Sequence, residues 1–254
     1  MGKPRISVHK FSSCDGCQLA FFNLGEDLIT LAGQVEIVHF AEAGMVAPEA
    51  EVKVAFVEGS ISTPDDLERI EGIRERSELL ITIGACATSG GIQALRNMRG
   101  NGWRESLYAS PEFIQTLDYS TPISAHVRVD LELWGCPISS EQILHVVSDL
   151  LRGVVPSASD ETLCQSCKRS GAVCTLVSAG RPCMGPVTRA GCGAVCPRFG
   201  RDCYGCTGPV SILNTSSMVH CFEGLGLLPD EVEQRFRMIH SATPQFRKLE
   251  ESNG

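Results

Sequence analysis

Thirteen of the 254 residues are cysteines, and twelve of them fall into three groups of four. The groups are Cys14, Cys17, Cys86 and Cys136; Cys164, Cys167, Cys174 and Cys183; and Cys192, Cys196, Cys203 and Cys206. Four thiolates are the usual ligand set of a 4Fe-4S cluster, so the spacing points to three such clusters and to electron transfer. The last eight cysteines divide most simply in sequence order. Two-cluster ferredoxins interleave their ligands, so spacing alone leaves that division open. Cys196-Pro197 matches the Cys-Pro that often closes a ferredoxin run, where proline removes a donor and stiffens the turn. Cys221 is left over and reads as a buried thiol. The competing metal is zinc, with Cys164/Cys167 and Cys203/Cys206 as two knuckles. Their separation exceeds the usual ribbon spacing, and four more cysteines lie between the pairs.

The first group needs a scaffold that brings distant residues together. ISVHKF from Ile6, VEIVHF from Val35, VKVAFVEG from Val52, Leu79–Ile83 and Ile123–Leu133 read as strands. Between them lie a helix pattern over Gln18–Ala32, stopped by Gly33, and one opened by Thr63-Pro64-Asp65-Asp66. A further helix, EQILHVVSDLLRG, is capped by Ser139 or Ser140 and closed by Gly153. Strands alternating with helices predict a doubly wound, flavodoxin-like parallel sheet, with a mixed sheet bearing an antiparallel edge as the alternative. Cys14/Cys17, Cys86 and Cys136 each follow a predicted strand, and such strand ends meet along one edge of an open sheet. Gly16, Gly84, Gly90 and Gly91 would let the backbone approach a bulky cluster there.

Cysteine usage shifts near residue 155: four lie before it and nine after. Residues 1–155 therefore read as the α/β domain, and 156–254 as a small irregular iron–sulfur domain. The second stretch is rich in Gly, Pro, Ser and Cys, too poor in periodic apolar residues for an ordinary core, and suited to being held by metal. Pro229–Phe246 reads as one amphipathic helix closing the chain.

Composition narrows the function further. A net charge of −8 with no basic run argues against nucleic acid. No segment has the length or apolarity of a membrane span, and no signal peptide is visible, so the expected location is cytoplasmic. In a reducing compartment, cysteines at this density point to metal or redox chemistry rather than to disulfides. No HExxH or GxSxG motif is present. The Gly84–Gly91 turn lacks the endings of a phosphate loop or dinucleotide fingerprint. His9 and His39 sit on strand patterns as packed residues. The chain is expected to conduct electrons and to leave bond breaking to a partner.

SSCDGCQLAFF from Ser12, TIGACATSGG from Thr82, WGCP from Trp134 and CMGPVTRAGCGAVCPRFGRDCYGC from Cys183 resemble the small subunit of a NiFe hydrogenase. The likeness is strongest to the cytosolic class that includes sulfhydrogenase delta subunits and methanogen gamma-type small subunits. The resemblance implies a proximal cluster on Cys14, Cys17, Cys86 and Cys136, beside the nickel–iron site of a separate large subunit. It implies a medial cluster on Cys192, Cys196, Cys203 and Cys206, and a distal one on Cys164, Cys167, Cys174 and Cys183. It also implies further iron–sulfur and flavin- or NAD(P)-binding subunits as partners. Compared with the membrane-linked uptake enzymes, Cys164 replaces a histidine and Cys196 a proline. Leu19 stands where many relatives carry a glutamate. Three rivals are a complex I-like subunit, which normally has adjacent Cys-Cys ligands, a zinc-stabilised binding module, and a redox sensor with exposed cysteines.

Overall fold

Three strand segments are buried nearly without interruption. Strand β1 (Arg5–Lys10) is buried at its four inner positions. Strand β3 (Val52–Glu58) is buried everywhere but Lys53, and β4 (Ser77–Ile83) at its last four residues. Strands of this kind are covered on both faces, as in a parallel sheet. With β2 (Glu36–Phe40) and β5 (Leu131–Leu133) they form one sheet of order β2-β1-β3-β4-β5. All four pairings are parallel, in the flavodoxin-like order, and among the described residues the sheet has no antiparallel edge. The computed structural model describes residues 2–100 and 102–247.

Helices cover both faces. On one, Phe21 of α1 (Gly16–Phe22), Leu24 just after it, and Ile143, Val146 and Val147 of α6 (Ser140–Leu151) pack on Ile6, Val8, Val54, Phe56, Ile81 and Ile83. On the other, Ile70 and Ile73 of α3 (Pro64–Glu75) join Ile61 and Ile123 against Ala55, Val57 and Leu80. The expected caps form. The Thr63 hydroxyl accepts from Asp66 N–H at 3.2 Å, and the Ser139 hydroxyl accepts from Gln142 N–H at 3.3 Å. Each cap is worth about 1 kcal/mol.

Three expected elements come out differently. The helix over Gln18–Ala32 is two helices, α1 and α2 (Glu26–Gln34). The chain bends at Gly25, which has φ 59°, and Gly33 lies inside α2 instead of stopping it. The Ile123–Leu133 strand shrinks to its last three residues, after a 3-10 turn at Ile123–Ala125. Here the Asp130 carboxylate, paired with Arg74 at 2.6 Å, takes the Leu80 N–H that a longer strand would have bonded. The closing helix also breaks, into α11 (Pro229–His240) and α12 (Pro244–Arg247). Pro244 disfavours a helical conformation at the residue before it.

The remaining elements are short. Helices α4 (Gly84–Ser89) and α5 (Trp103–Leu107) lie between β4 and β5. After α6 come α7 (Leu163–Arg169), α8 (Thr175–Ala179), α9 (Val195–Arg198) and α10 (Thr215–Gly224). These and the last two helices gather around a separate core of Met184, Val187, Phe222, Val232, Phe236 and Phe246. Cys183 and Cys203 are themselves members of that core.

Candidate iron–sulfur sites

The first group assembles at the C-terminal edge of the sheet. After β1 the chain stays anchored to its neighbour, Phe11 N–H donating to the Glu58 carbonyl at 2.8 Å, and then turns through Cys14 into α1, which carries Cys17. Cys86 lies in α4, directly after β4, and Cys136 three residues beyond β5. Ala85 N–H donates to the Gly135 carbonyl at 2.7 Å and ties these last two segments together. Cys14 is exposed, Cys17 is buried, and Cys86 and Cys136 lie between. Burial pushes the Cys17 thiol up, with Cys86 and Cys136 adding to the effect. It pushes Cys86 up to about 12, with Cys136 and Cys14 adding. Burial and Cys14 also raise Cys136. The four sulfurs are thus electrostatic neighbours.

Glycines make the room. A Cβ at Gly84 would overlap the Cys17 sulfur, and one at Gly91 would lie 2.9 Å from the Cys86 sulfur. Backbone N–H groups point at the sulfurs as well, Ile138 at Cys17 and Ile92 at Cys86. Such N–H···S bonds are one of the means by which proteins set cluster potentials.

The Cys164, Cys167, Cys174 and Cys183 group forms around α7. Cys164 and Cys167, three residues apart, share a helix face. Cys174 is exposed just before α8, and Cys183 is buried. Burial, then Cys183, Cys174 and Cys167, push Cys164 up to about 11. A Cβ at Gly185 would sit 3.3 Å from the Cys164 sulfur and 3.5 Å from that of Cys183, so this glycine too faces two sulfurs at once.

Of Cys192, Cys196, Cys203 and Cys206, Cys196 lies in α9 and the others flank it in sequence. Burial pushes Cys206 up to about 12, with Cys192, Cys136 and Cys196 adding. Cys203, 4% exposed, is raised by burial and then by Cys183 and Cys206. Its sulfur accepts from Gly205 N–H at 3.3 Å. The three groups also touch one another through ligand residues. Cys136 N–H is directed at the Cys206 sulfur. Cys203 N–H donates to the Cys183 sulfur at 3.2 Å.

The donor set suits iron–sulfur clusters: neighbouring thiols, glycine clearance and N–H groups aimed at sulfur. Among the described residues, no three His, Cys, Asp or Glu side chains converge on a point fit for a single ion. A cubane bonds each thiolate at a separate iron and needs no such convergence. The raised thiols contrast with the low-pKa, exposed cysteines of redox sensors. Metal binding would supply the stabilisation that keeps them as thiolates. Cys221 lies on α10, half-buried.

Two residues around these groups escape a reading of the sequence. Glu58 ends β3, is 2% exposed, and accepts from the Cys17 and Gln18 N–H groups at 3.1 and 3.2 Å. Burial raises its carboxyl, and the two N–H bonds oppose that rise. His240 is 1% exposed and packs at a tilt of 42° against Trp134, with ring centroids 5.5 Å apart. An acid closing a buried strand, and a histidine in register with Val232 and Phe236 on an apolar helix stripe, were the available signals.

The model of the NADH ubiquinone oxidoreductase, 20 Kd subunit family matches residues 14–150. That span holds the first cysteine group and ends before the other two. The delta subunit of sulfhydrogenase 2 from Pyrococcus furiosus is 34% identical, over 89% of this chain and 94% of that protein. The chain belongs to the NiFe hydrogenase small subunits. As a small subunit it is part of a NiFe hydrogenase complex, with a large subunit as partner. The iron-sulfur subunit of the F420-non-reducing hydrogenase of Archaeoglobus profundus is 25% identical, over 78% of this small subunit and 79% of that protein. A crystal structure of an NAD+-reducing NiFe hydrogenase in the hydrogen-reduced state superposes with a TM-score of 0.57 and 27% identity. It covers 62% of this chain and 96% of that one. Among the described residues, no helix is long and apolar enough to cross a membrane.

Proposed function

We propose that this small subunit holds three 4Fe-4S clusters and relays electrons between the nickel–iron site of the large subunit and flavin- or NAD(P)-binding partners. The proximal cluster is assigned to Cys14, Cys17, Cys86 and Cys136, the medial to Cys192, Cys196, Cys203 and Cys206, and the distal to Cys164, Cys167, Cys174 and Cys183. The observation that carries this reading is the continuity of the groups. Cys136 meets Cys206, and Cys203 meets Cys183, so the order along the molecule is proximal, medial, distal. When bound, each cluster supplies a one-electron carrier.

The protein's own part is placement. Glu58 holds the amide ends of Cys17 and Gln18, and the Gly84 and Gly91 positions keep side chains out of the cluster space. Exposed Cys14 marks the face for the large subunit, and exposed Cys174 the face for the electron acceptor. A division into domains at 1–155 and 156–254 follows the separate cores, and the compartment proposed is the cytoplasm. The location rests on the resemblance to the cytosolic class of hydrogenase small subunits.

The test is anaerobic purification of the native complex with iron, acid-labile sulfide, zinc and nickel measured. About twelve irons on this subunit, the number three 4Fe-4S clusters imply, is the expected result, with nickel on a co-purifying large subunit. Zinc without sulfide would overturn the cluster assignment. Cys14→Ala should abolish hydrogen-dependent reduction of the terminal acceptor, and full reduction in that variant would sink the proximal assignment.

A further inference from the structure

His240 is the last residue of α11, and its ring is held by cluster-bearing loops. Its Nε2 lies 3.1 Å from the Cys206 carbonyl oxygen. Its Nδ1 lies 2.7 Å from the Ser89 hydroxyl, three residues beyond Cys86. Its ring packs on Trp134, two residues before Cys136. The histidine therefore touches the loops of two proximal ligands and one medial ligand.

The chemistry of these contacts is directional. A carbonyl oxygen only accepts, so Nε2 must carry the hydrogen and donate it to Cys206. Nδ1 is then an acceptor, so the single Ser89 hydrogen is donated to it and bonds the ring to α4; the Ala85 carbonyl, 2.9 Å from the same hydroxyl, competes for that hydrogen. Trp134 is held from its other contacts too. Its indole N–H donates to Glu132 at 3.2 Å, and the Arg189 guanidinium lies 5.3 Å from its ring centre. A leucine or phenylalanine would fill the same space without the cost of burying polar nitrogens. What an apolar side chain could not do is pin the Cys206 carbonyl and the Cys86 helix to one ring.

We propose that His240 is a positioning residue that fixes the Cys206 loop against the Cys86 helix and the Cys136 loop and so sets the coupling between the proximal and medial clusters. This rests on the three-cluster assignment proposed for the subunit.

The test uses the native complex carrying His240→Phe, His240→Gln or Ser89→Ala. Phenylalanine keeps the ring against Trp134 and removes both hydrogen bonds, whereas glutamine keeps an N–H donor for the Cys206 carbonyl. The readouts are iron per chain, the medial midpoint potential from an EPR-monitored redox titration, and the spin–spin splitting between the reduced proximal and medial clusters. Expected are unchanged iron in all variants, loss of the splitting with a shifted medial potential in His240→Phe, and recovery in His240→Gln. Ser89→Ala, which leaves the Cys206 bond in place, should weaken the splitting alone. Wild-type splitting and potential in His240→Phe would overturn the proposal, as would equal loss in His240→Phe and His240→Gln. If His240→Phe loses iron, Ser89→Ala decides, and unaltered splitting there rejects the positioning role. A wild-type complex with fewer than three clusters on this chain would instead reject the assignment beneath it.

Discussion

A methyl group added at Gly91 would strike a single ligand. Its Cβ would lie 2.7 Å from the Cys86 nitrogen, 2.8 Å from its Cα and 2.9 Å from its sulfur. Two of these are backbone atoms, which cannot swing aside as a side-chain tip can. Ordinary contact starts near 3.4 Å, so the Cys86 sulfur must retreat by about 0.5 Å. Crowding of this kind costs about 1–3 kcal/mol. The residue also has φ +54°, where a Cβ adds about 1–2 kcal/mol. Gly91→Ala should then destabilise the protein by about 2–5 kcal/mol on those two principles together. The displacement falls on Cys86 and on the neighbouring Ile92 N–H that points at its sulfur. The proximal cluster should be lost and the other two kept, leaving about eight irons where the parent has about twelve. Gly153→Ala separates the two causes, because Gly153 has φ +72° with nothing within 4 Å of its would-be Cβ. That variant should lose about 1–2 kcal/mol in urea denaturation and no iron. Full iron and an unaltered proximal EPR signal in Gly91→Ala would refute the reasoning.

Three other expectations concern single residues. Glu58→Ala leaves two buried N–H donors without their acceptor, at about 1–3 kcal/mol each. The urea midpoint should drop accordingly and recover in part in Glu58→Gln, and a parental midpoint for alanine would show that the bonds contribute nothing. His9 is depressed from 6.5 to about 3, chiefly by burial and then by His39, Arg69 and Arg76. Below pH 6.5 the unfolded chain takes up a proton that the folded one refuses. Stability should therefore fall with pH from 6.5 towards 3, by up to about 1.4 kcal/mol per unit. Urea melts at pH 7.5 and 5.5 should show a smaller loss for His9→Gln than for the parent, and equal losses would count against the assignment to His9. Cys221→Ala should leave iron content unchanged, whereas losing one cluster's iron would make Cys221 a ligand.

The sheet was readable because its central strands are buried on both faces, so that apolar runs such as Val54–Val57 stand out whatever their neighbours. The caps at Thr63 and Ser139 were readable because a cap needs only a side chain and the next turn. What failed were boundaries decided by distant partners. The Ile123–Leu133 run has strand-like residues throughout, but Asp130 and Arg74 supply the bond that a longer β5 would have made. The grouping of the first four cysteines follows from strand order, which the alternating pattern predicts. The adjacency of the later eight depends on loops around α7 and α9, where no periodicity guides the reading. Glu58 and His240 act through bonds to residues 34 and more positions away, and a local motif carries no trace of such bonds.

The groups differ in their access to solvent. The proximal and distal groups each have one exposed cysteine, Cys14 and Cys174, whereas every cysteine of the medial group is at least partly covered and Cys203 lies in the core. On the assignment proposed here, that asymmetry sets a history for the molecule. A maturation factor would meet an exposed ligand of each outer cluster after the chain has folded, Cys14 or Cys174, but none of the medial one. Once there, it would be the last to exchange iron, the last to yield to a chelator and the last to meet oxygen. With the large subunit seated on the Cys14 face, damage in air would begin at the Cys174 end of the relay and reach the centre last.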